Sequence, residues 1–216
     1  MRIKSNLDEI LYDRIIESLI SGSYSMGENL TLDELSKKFE VSRTPVVQAV
    51  KLLVNDGILC SMSNGRLYVP EYDRQSVFEM CQVRELIEGY ALRVFMSGKG
   101  ASPKQILPRL ESYAEQFKLL SNESQYAEFA TADRKFHGTI VEASGNHILL
   151  ETYNRVQGRF LVANYLIRPL QMRNLDGTAL DHDRIVSAIK ANDLELSGAW
   201  LREQIAGVLK EVLSEE

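Results

Sequence analysis

Two side chains that could bind a cation, Asp133 and His137, lie four residues apart in the segment ADRKFHGTI. On a helix that advances about 100° per residue, both point to the same side as Phe129, Phe136 and Ile140. A surface pair at this spacing would contribute only a few tenths of a kcal/mol, roughly. An inward-facing carboxylate instead needs a compensating partner, which can be a cation, a metal or several hydrogen bonds.

A second histidine and an arginine also face inward from other predicted helices. His182 shares a stripe with Ile185 and Ile189, and Arg84 lies on the apolar face of its helix with Glu88 one turn further on. Charged and imidazole side chains that converge from three helices predict one polar chamber. The residues alone also allow the alternative that each i,i+4 pair forms only an internal ion pair.

The composition is that of a globular chain. Of its 216 residues 44% are apolar and 25% charged, so one or two domains can bury a substantial core. No apolar run reaches the ~18 residues that span a bilayer and no apolar signal region starts the chain, so we expect no membrane partner and a cytoplasmic location. Cys60 and Cys81 lack the spacing of a metal motif, and we expect both to be small buried apolar residues.

The first third of the chain predicts three helices and a hairpin. Periodicity and capping signals place the helices at residues 7–21, 31–39 and 43–55, with Ser42 as the N-cap of the third. Asn64 and Gly65 lie between two strand-like runs, which predicts a hairpin with a type I′ turn. Three helices followed by a hairpin form a winged helix-turn-helix.

The third predicted helix has the two faces that a DNA recognition helix needs. Thr44, Gln48 and Lys51 project away from its apolar stripe, and Arg43 stands at its N-terminal end. The net charge of -5 argues mildly against nucleic acid, but residues 37–66 hold five basic against two acidic side chains. A local patch can bind phosphates when the average cannot. The alternative is a solvated helix in a small α+β module.

Beyond a short polar connection at residues 70–74, every signal is helical. Turn and capping residues place helices at residues 75–97, 103–120, 124–143, 147–167, 178–191 and 193–213, with Ser102 as the N-cap of the second. Short loops between long amphipathic helices predict an antiparallel bundle. We therefore predict a mostly α fold, with a winged helix-turn-helix DNA-binding domain at residues 1–72 and an all-helical domain at residues 73–216.

Two stretches, VSRTPVVQAVKLLVNDGIL and NGRLYVP, resemble the GntR superfamily of bacterial transcription regulators. The resemblance implies that a homodimer binds double-stranded operator DNA through the start of the third helix and the tip of the wing. Where the family usually has arginine and glutamate, this chain has Val47 and Gln48, and a glutamine amide can pair with adenine. The residues expected on DNA are Ser42, Arg43, Thr44, Gln48, Lys51, Asn64, Gly65 and Arg66.

Four further segments, VRELIEGYAL, ADRKFHGTI, SGNHILL and DHDRIVSAIKANDLELSGAW, resemble the FCD ligand-binding domain of the FadR-type branch. In many members an Asp and three His bind a divalent metal such as zinc or nickel, which helps to hold a small carboxylate effector. Asp133, His137 and His182 match the first three positions, and Gln204 stands at the fourth. Arg84 matches an arginine that often meets the effector. Because an amide oxygen is a weaker and harder ligand than imidazole, we expect weaker metal binding.

The expected function is a ligand-responsive transcription regulator that acts as a repressor and is not an enzyme. A metal-dependent enzyme is one alternative, but the chamber offers no evident nucleophile or separate general base. The other alternative is a helical domain that only dimerises, with internal ion pairs and no effector.

Overall fold

The computed structural model describes residues 7–120, 125–167 and 175–213. Within these ranges the chain forms nine helices and three short strands, which confirms the mostly helical fold class. The chain divides into two compact units, Met1–Tyr72 and Asp73–Glu216. Among the described helices, none combines the length and the apolar character that a bilayer span requires.

The first unit packs three helices beside a small sheet. The helices are α1 (Leu7–Ile20), α2 (Leu32–Phe39) and α3 (Arg43–Asn55), and the strands are β1 (Asn29–Leu30), β2 (Cys60–Ser61) and β3 (Leu67–Tyr68). Helix α3 contacts both α1 and α2. Leu11 and Ile15 of α1 and Val46 and Leu53 of α3 are fully buried, so the apolar stripes form the core of this unit.

Local capping explains where these helices begin. The capping box of α2 is present, because the Glu34 amide donates to Thr31 Oγ1 (3.2 Å) and the Thr31 amide donates to Glu34 Oε2 (2.9 Å). Ser42 occupies the N-cap position of α3 as predicted, but its side chain makes no capping hydrogen bond.

The wing differs from the prediction in two ways. Its sheet has three strands in the order β1-β3-β2, and β1 was not predicted because two residues show no periodicity. The predicted type I′ turn is wrong, since Gly65 is the one residue of the described turn with a positive φ (79°). The Gly65 amide donates to the Met62 carbonyl (2.9 Å) and the Met62 amide to the Arg66 carbonyl (2.8 Å). This pattern is a three-residue loop with a bulge at glycine.

The second unit is a bundle of six described helices. They are α4 (Arg74–Met96), α5 (Pro103–Leu119), α6 (Tyr126–Glu142), α7 (His147–Ile167), α8 (Leu175–Lys190) and α9 (Leu194–Leu213). Helix α4 packs against α6, α7 and α9, while α8 packs against α5 and α9. One face of α4 is therefore packed in the bundle, and the inward faces of α4, α6, α8 and α9 come together.

Most of the predicted helix ends in this unit are confirmed within one to two residues; the exceptions are the start of α8 and the start predicted at Ser124. Helix α8 begins at Leu175 rather than Thr178, because the glycine at 177 is tolerated within a first helical turn. Ser102 lies at the N-cap of α5 without a side-chain capping bond. The predicted helix start at Ser124 lies outside the described residues. Of the two cysteines, Cys81 is buried as expected, whereas Cys60 is only half-buried.

Candidate functional site

Helices α6 and α8 bring three potential metal ligands together. Asp133 Oδ1 lies 3.5 Å from His137 Nε2 and 3.1 Å from His182 Nε2. One ligand atom from each residue lies within 4.8 Å of the other two. The histidine side chains are 1% and 0% exposed and the carboxylate 15%. The inward orientation predicted from helical periodicity is therefore confirmed.

Aromatic rings hold His182 in place. The ring of Phe117, from α5, stacks on its imidazole with 3.9 Å between centroids. Phe136, from α6, contacts the same ring edge-on at 4.6 Å. A ring packed on two sides has little freedom to turn, so the direction of its nitrogens is fixed.

Hydrogen bonds set which nitrogen of each histidine faces Asp133. His137 Nδ1 lies 2.7 Å from Glu88 Oε2, and His182 Nδ1 lies 2.8 Å from the Thr178 carbonyl oxygen. An ionised carboxylate and a carbonyl only accept, so both Nδ1 atoms carry hydrogen. When the rings are neutral, two Nε2 lone pairs and a carboxylate oxygen face one another. A positive charge, either a proton or a metal ion, stabilises this arrangement.

A buried charge network surrounds these ligands. Arg84 Nε donates to Glu88 Oε1 at 2.8 Å, with the two side chains 3% and 0% exposed. Burial opposes ionisation of Glu88, but Arg84 and His137 outweigh it and lower its pKa to about 2. Glu88 therefore bridges α4 and α6. The Arg84–Glu88 ion pair considered from the sequence is present, but the second contact of Glu88, with His137, was missed.

The same charges act on the three ligands. Burial disfavours the charged form of His137, yet Glu88 and Asp133 outweigh it and raise its pKa to about 9. Burial also disfavours the Asp133 carboxylate, but the two histidines hold its pKa well below the usual value. For His182 burial dominates over Asp133, and its pKa is lowered. One proton or one metal can thus balance this cluster.

Gln204 of α9 stands at the fourth position. It is 8% exposed, and its Nε2 lies 2.8 Å from His182 Nε2, while its buried Oε1 has no hydrogen-bond partner among the residues that the structure describes. The two ends of an amide are assigned from their surroundings, and a half-turn would exchange them. In the turned orientation the amide oxygen takes the place beside His182 Nε2, and an oxygen there with two imidazoles and a carboxylate fits a divalent metal.

A cavity of about 150 Å³ adjoins the cluster. Asp133, His137, Gln204 and Arg84 line one part of it, and the guanidinium carbon of Arg84 lies 4.4 Å from the ring centroid of Phe160. Helix α7 also lines the cavity, which sequence reasoning did not predict because two of its three lining residues are apolar. The α7 residues that line the cavity are Phe160, Leu161 and Asn164. The third histidine of the chain, His147, is exposed at the start of α7 and is not part of the cluster.

The residues predicted to contact DNA all lie on the surface of the first unit. The exposed ones on and before α3 are Ser42, Arg43, Thr44, Gln48 and Lys51, and those of the wing are Asn64, Gly65 and Arg66. Arg43 Nη1 pairs with Asp33 Oδ1 at 3.0 Å, and both side chains are about two-thirds exposed (65% and 69%). Such exposed pairs contribute about 1 kcal/mol or less, so Arg43 can exchange Asp33 for a phosphate.

Comparison with known proteins gives the same two-part organisation. Residues 7–69 match the family "Bacterial regulatory proteins, gntR family", and residues 79–207 match the FCD domain. The chain is 25% identical over 190 residues to YdhC of Bacillus subtilis (strain 168), described as an uncharacterized HTH-type transcriptional regulator, covering 85% of this chain and 81% of YdhC. It is also 25% identical over 197 residues to the "Probable D-xylose utilization operon transcriptional repressor" of Paenarthrobacter nicotinovorans, covering 91% and 84%.

A solved structure shares the fold over the whole length. E. coli McbR/YncC superimposes with a TM-score of 0.79 at 20% identity, covering 97% of this chain and 98% of that one. The relatives named for a function are transcription regulators rather than enzymes. The chain belongs to the GntR family of DNA-binding transcription regulators, in the group whose winged helix-turn-helix is followed by an FCD domain.

Proposed function

We propose that this regulator represses transcription from an operator and that a small carboxylate effector, bound beside a divalent metal in the helical domain, changes its affinity for DNA. The observation that carries this proposal is the convergence of Asp133, His137 and His182 on one point beside a cavity. Three electron-pair donors that face one another inside a bundle need a cation, and a cation beside a cavity attracts an anion.

The DNA contacts are assigned to the exposed face of α3 and the tip of the wing. The α3 face carries two cations, Arg43 and Lys51, and the wing carries Arg66. Cationic side chains hold phosphates, while the polar side chains between them reach base edges. Operator DNA as partner also assigns the regulator to the cytoplasm.

The metal is assigned to Asp133, His137 and His182, with the Gln204 amide oxygen as the fourth ligand. Imidazole and carboxylate suit a divalent transition metal such as zinc or nickel, and the amide makes the set harder and weaker than one with a third histidine. When bound, the metal supplies a positive charge for the effector carboxylate. Glu88 and the Thr178 carbonyl hold the two imidazoles in the ligating tautomer.

The size and the charges of the cavity define the effector class. A volume of about 150 Å³ holds a molecule roughly as large as benzene. Arg84 lines the same cavity as the proposed metal ligands, so its positive charge would act on a bound anion together with that of the metal. Because Arg84 gives its Nε hydrogen to Glu88, its Nη groups are the donors assigned to the effector carboxylate. The effector is therefore a compact organic acid.

The active form is assigned as a homodimer, with an exposed apolar stripe of α4 as its contact surface. Val83, Leu86 and Tyr90 are 37%, 73% and 48% exposed, and their spacing places them on one side of α4. A contiguous apolar stripe in water favours association with a second copy. An effector that binds one dimer arrangement better than another would shift the population and thereby the operator affinity.

Metal content tests the site directly. We expect the full-length protein, purified without chelators, to contain one divalent metal per chain and His182→Ala to lose it. His147→Ala is the matched control, because it removes an exposed histidine outside the cluster. Metal at a hundredfold excess over its Kd should raise the melting temperature of wild type by about 5–10 °C. Absence of metal and of any shift in wild type would support a domain that only dimerises.

Effector sensing needs a second measurement. Compact organic acids should raise the melting temperature of the metal-loaded wild type further, and Arg84→Met should remove that response. The acid that gives the largest shift should then change operator affinity at fixed salt concentration. An acid that stabilises the protein but leaves DNA affinity unchanged would contradict the regulatory role. Steady consumption of the acid would instead indicate an enzyme.

A further inference from the structure

The two edges of the outward face of α3 carry Val47 and Gln48, about one turn from the helix start. At about 100° per residue, they flank Thr44 and Lys51, which face directly away from the buried stripe; Gln48 lies on one side of that pair and Val47 on the other, nearer the core. Gln48 is exposed and Val47 is half-buried. A docked DNA groove would therefore meet an amide and two methyl groups on either side of Thr44 and Lys51.

Val47 has no evident role in the core. The buried stripe of α3 is complete without it and consists of Val46, Ala49, Val50 and Leu53. Val47 lies at the edge between the core and the outward face, where its half-exposed methyl groups remain accessible, and a β-branched side chain is a weaker helix former than most. An apolar group held at a position that faces DNA matches the C5 methyl group of thymine, which is the apolar feature of the major groove.

Gln48 offers the matching contact for adenine, the base paired with thymine. Its amide can donate to and accept from adenine at N7 and N6 at once, whereas bidentate reading of guanine requires Arg or Lys. Arg43 lies at the end of the helix, where it pairs with Asp33 (3.0 Å). Val47 and Gln48 thus offer chemistry for thymine and adenine, and neither supplies the bidentate cationic donor that reads guanine most often.

The wing independently indicates a preference for A·T-rich DNA. Arg66 is exposed beside the glycine bulge, and its backbone amide donates to Asn64 Oδ1 at 3.0 Å, which fixes the tip. Its guanidinium forms no ion pair with a residue that the structure describes. A free arginine at a rigid tip suits the narrow, electronegative minor groove of A·T-rich DNA.

We infer that this regulator reads A·T pairs at the centre of each half-site, with the Val47 methyl groups against a thymine methyl and the Gln48 amide on adenine. Arg66 adds a preference for a narrow A·T minor groove next to them. The inference rests on the proposed role of α3 as the recognition helix, and it deepens that role by naming the bases.

Selection from randomised duplexes with the full-length protein gives the first test. We expect wild type to enrich A·T at the central half-site positions. Gln48→Ala should lose the adenine preference at one position and about tenfold or more in affinity for the preferred site. Enrichment of G·C at those positions, or no consensus at all, would overturn the inference.

Replacing single thymines by deoxyuridine removes only the C5 methyl group and tests Val47 separately. One such replacement should weaken wild type about fourfold at fixed salt, because one buried methyl is lost. Val47→Ala, which keeps helix propensity, should bind thymine DNA about fourfold more weakly than wild type and be insensitive to that replacement. Wild type that tolerates every replacement would overturn the role of Val47.

Lys51→Ala distinguishes failure of this inference from failure of the α3 assignment. As a phosphate contact, Lys51 should weaken all sequences alike and reduce the salt dependence by about one ion. If Lys51→Ala weakens binding but the deoxyuridine series has no effect, α3 binds DNA without reading thymine through Val47. If neither Lys51→Ala nor the deoxyuridine series affects binding, α3 is not the recognition helix, and both its proposed role and the A·T inference are wrong.

Discussion

Glu88→Gln is the substitution that most sharply tests the buried network. Glu88 accepts hydrogen from Arg84 Nε (2.8 Å) and from His137 Nδ1 (2.7 Å) through its two oxygens. Glutamine has the same shape but only one accepting end. Whichever way the amide is turned, its NH₂ group faces either the Arg84 donor or the His137 donor, so one buried hydrogen loses its acceptor.

The expected magnitude follows from burial. Arg84 and Glu88 are 3% and 0% exposed, so removal of the carboxylate leaves a guanidinium charge inside the bundle. Breaking a buried ion pair from one side costs about 3–5 kcal/mol. Loss of the partner that fixes a ligating histidine weakens metal binding about 10–100-fold. We therefore expect Glu88→Gln to be less stable by about 3–5 kcal/mol and to bind metal about 10–100-fold more weakly.

Two assays on the same samples separate stability from metal binding. Urea unfolding of the metal-free protein measures the first, and zinc titration against a competing chelator measures the second. Glu142→Gln is the matched control, because Glu142 also pairs with an arginine, Arg109 (2.7 Å), but both side chains are over 40% exposed (43% and 46%). Its stability should change by about 1 kcal/mol or less. If Glu88→Gln loses stability but binds zinc as wild type does, the idea that Glu88 orients a metal ligand is refuted.

Three further predictions concern other parts of the molecule. Thr31→Ala removes the capping box of α2 and should lower the free energy of unfolding by about 1 kcal/mol in urea denaturation. Gly100→Ala places a Cβ on the carbonyl oxygen of Ala143 and should cost about 1–3 kcal/mol in the same assay. Leu86→Glu should yield monomers in sedimentation experiments, whereas Leu119→Glu, at an equally exposed position on α5 (77% against 73%), should stay dimeric.

The sequence predicts those parts of the fold that local signals determine. Helix periodicity and caps place α2 and α3 to within a residue, because these signals act within one or two turns. Strand β1 is different, since Asn29 and Leu30 form a strand only by pairing with Tyr68 and Leu67. The turn at Gly65 also depends on the register of β2 and β3, which the Asn-Gly pair alone does not set.

In the candidate site, too, local sequence signals predict some features, whereas features that depend on helix packing could not be predicted. Inward orientation of Asp133, His137 and His182 follows from periodicity, because each stands in an apolar stripe of its own helix. The second contact of Glu88 could not be predicted, because it joins residues 49 positions apart and depends on how closely α4 and α6 pack. That contact changes the meaning of Arg84. Since Arg84 and His137 share one carboxylate, an anion that draws Arg84 toward the cavity also changes the charge that holds His137. The group assigned to the effector and a group assigned to the metal are thus coupled through a single side chain.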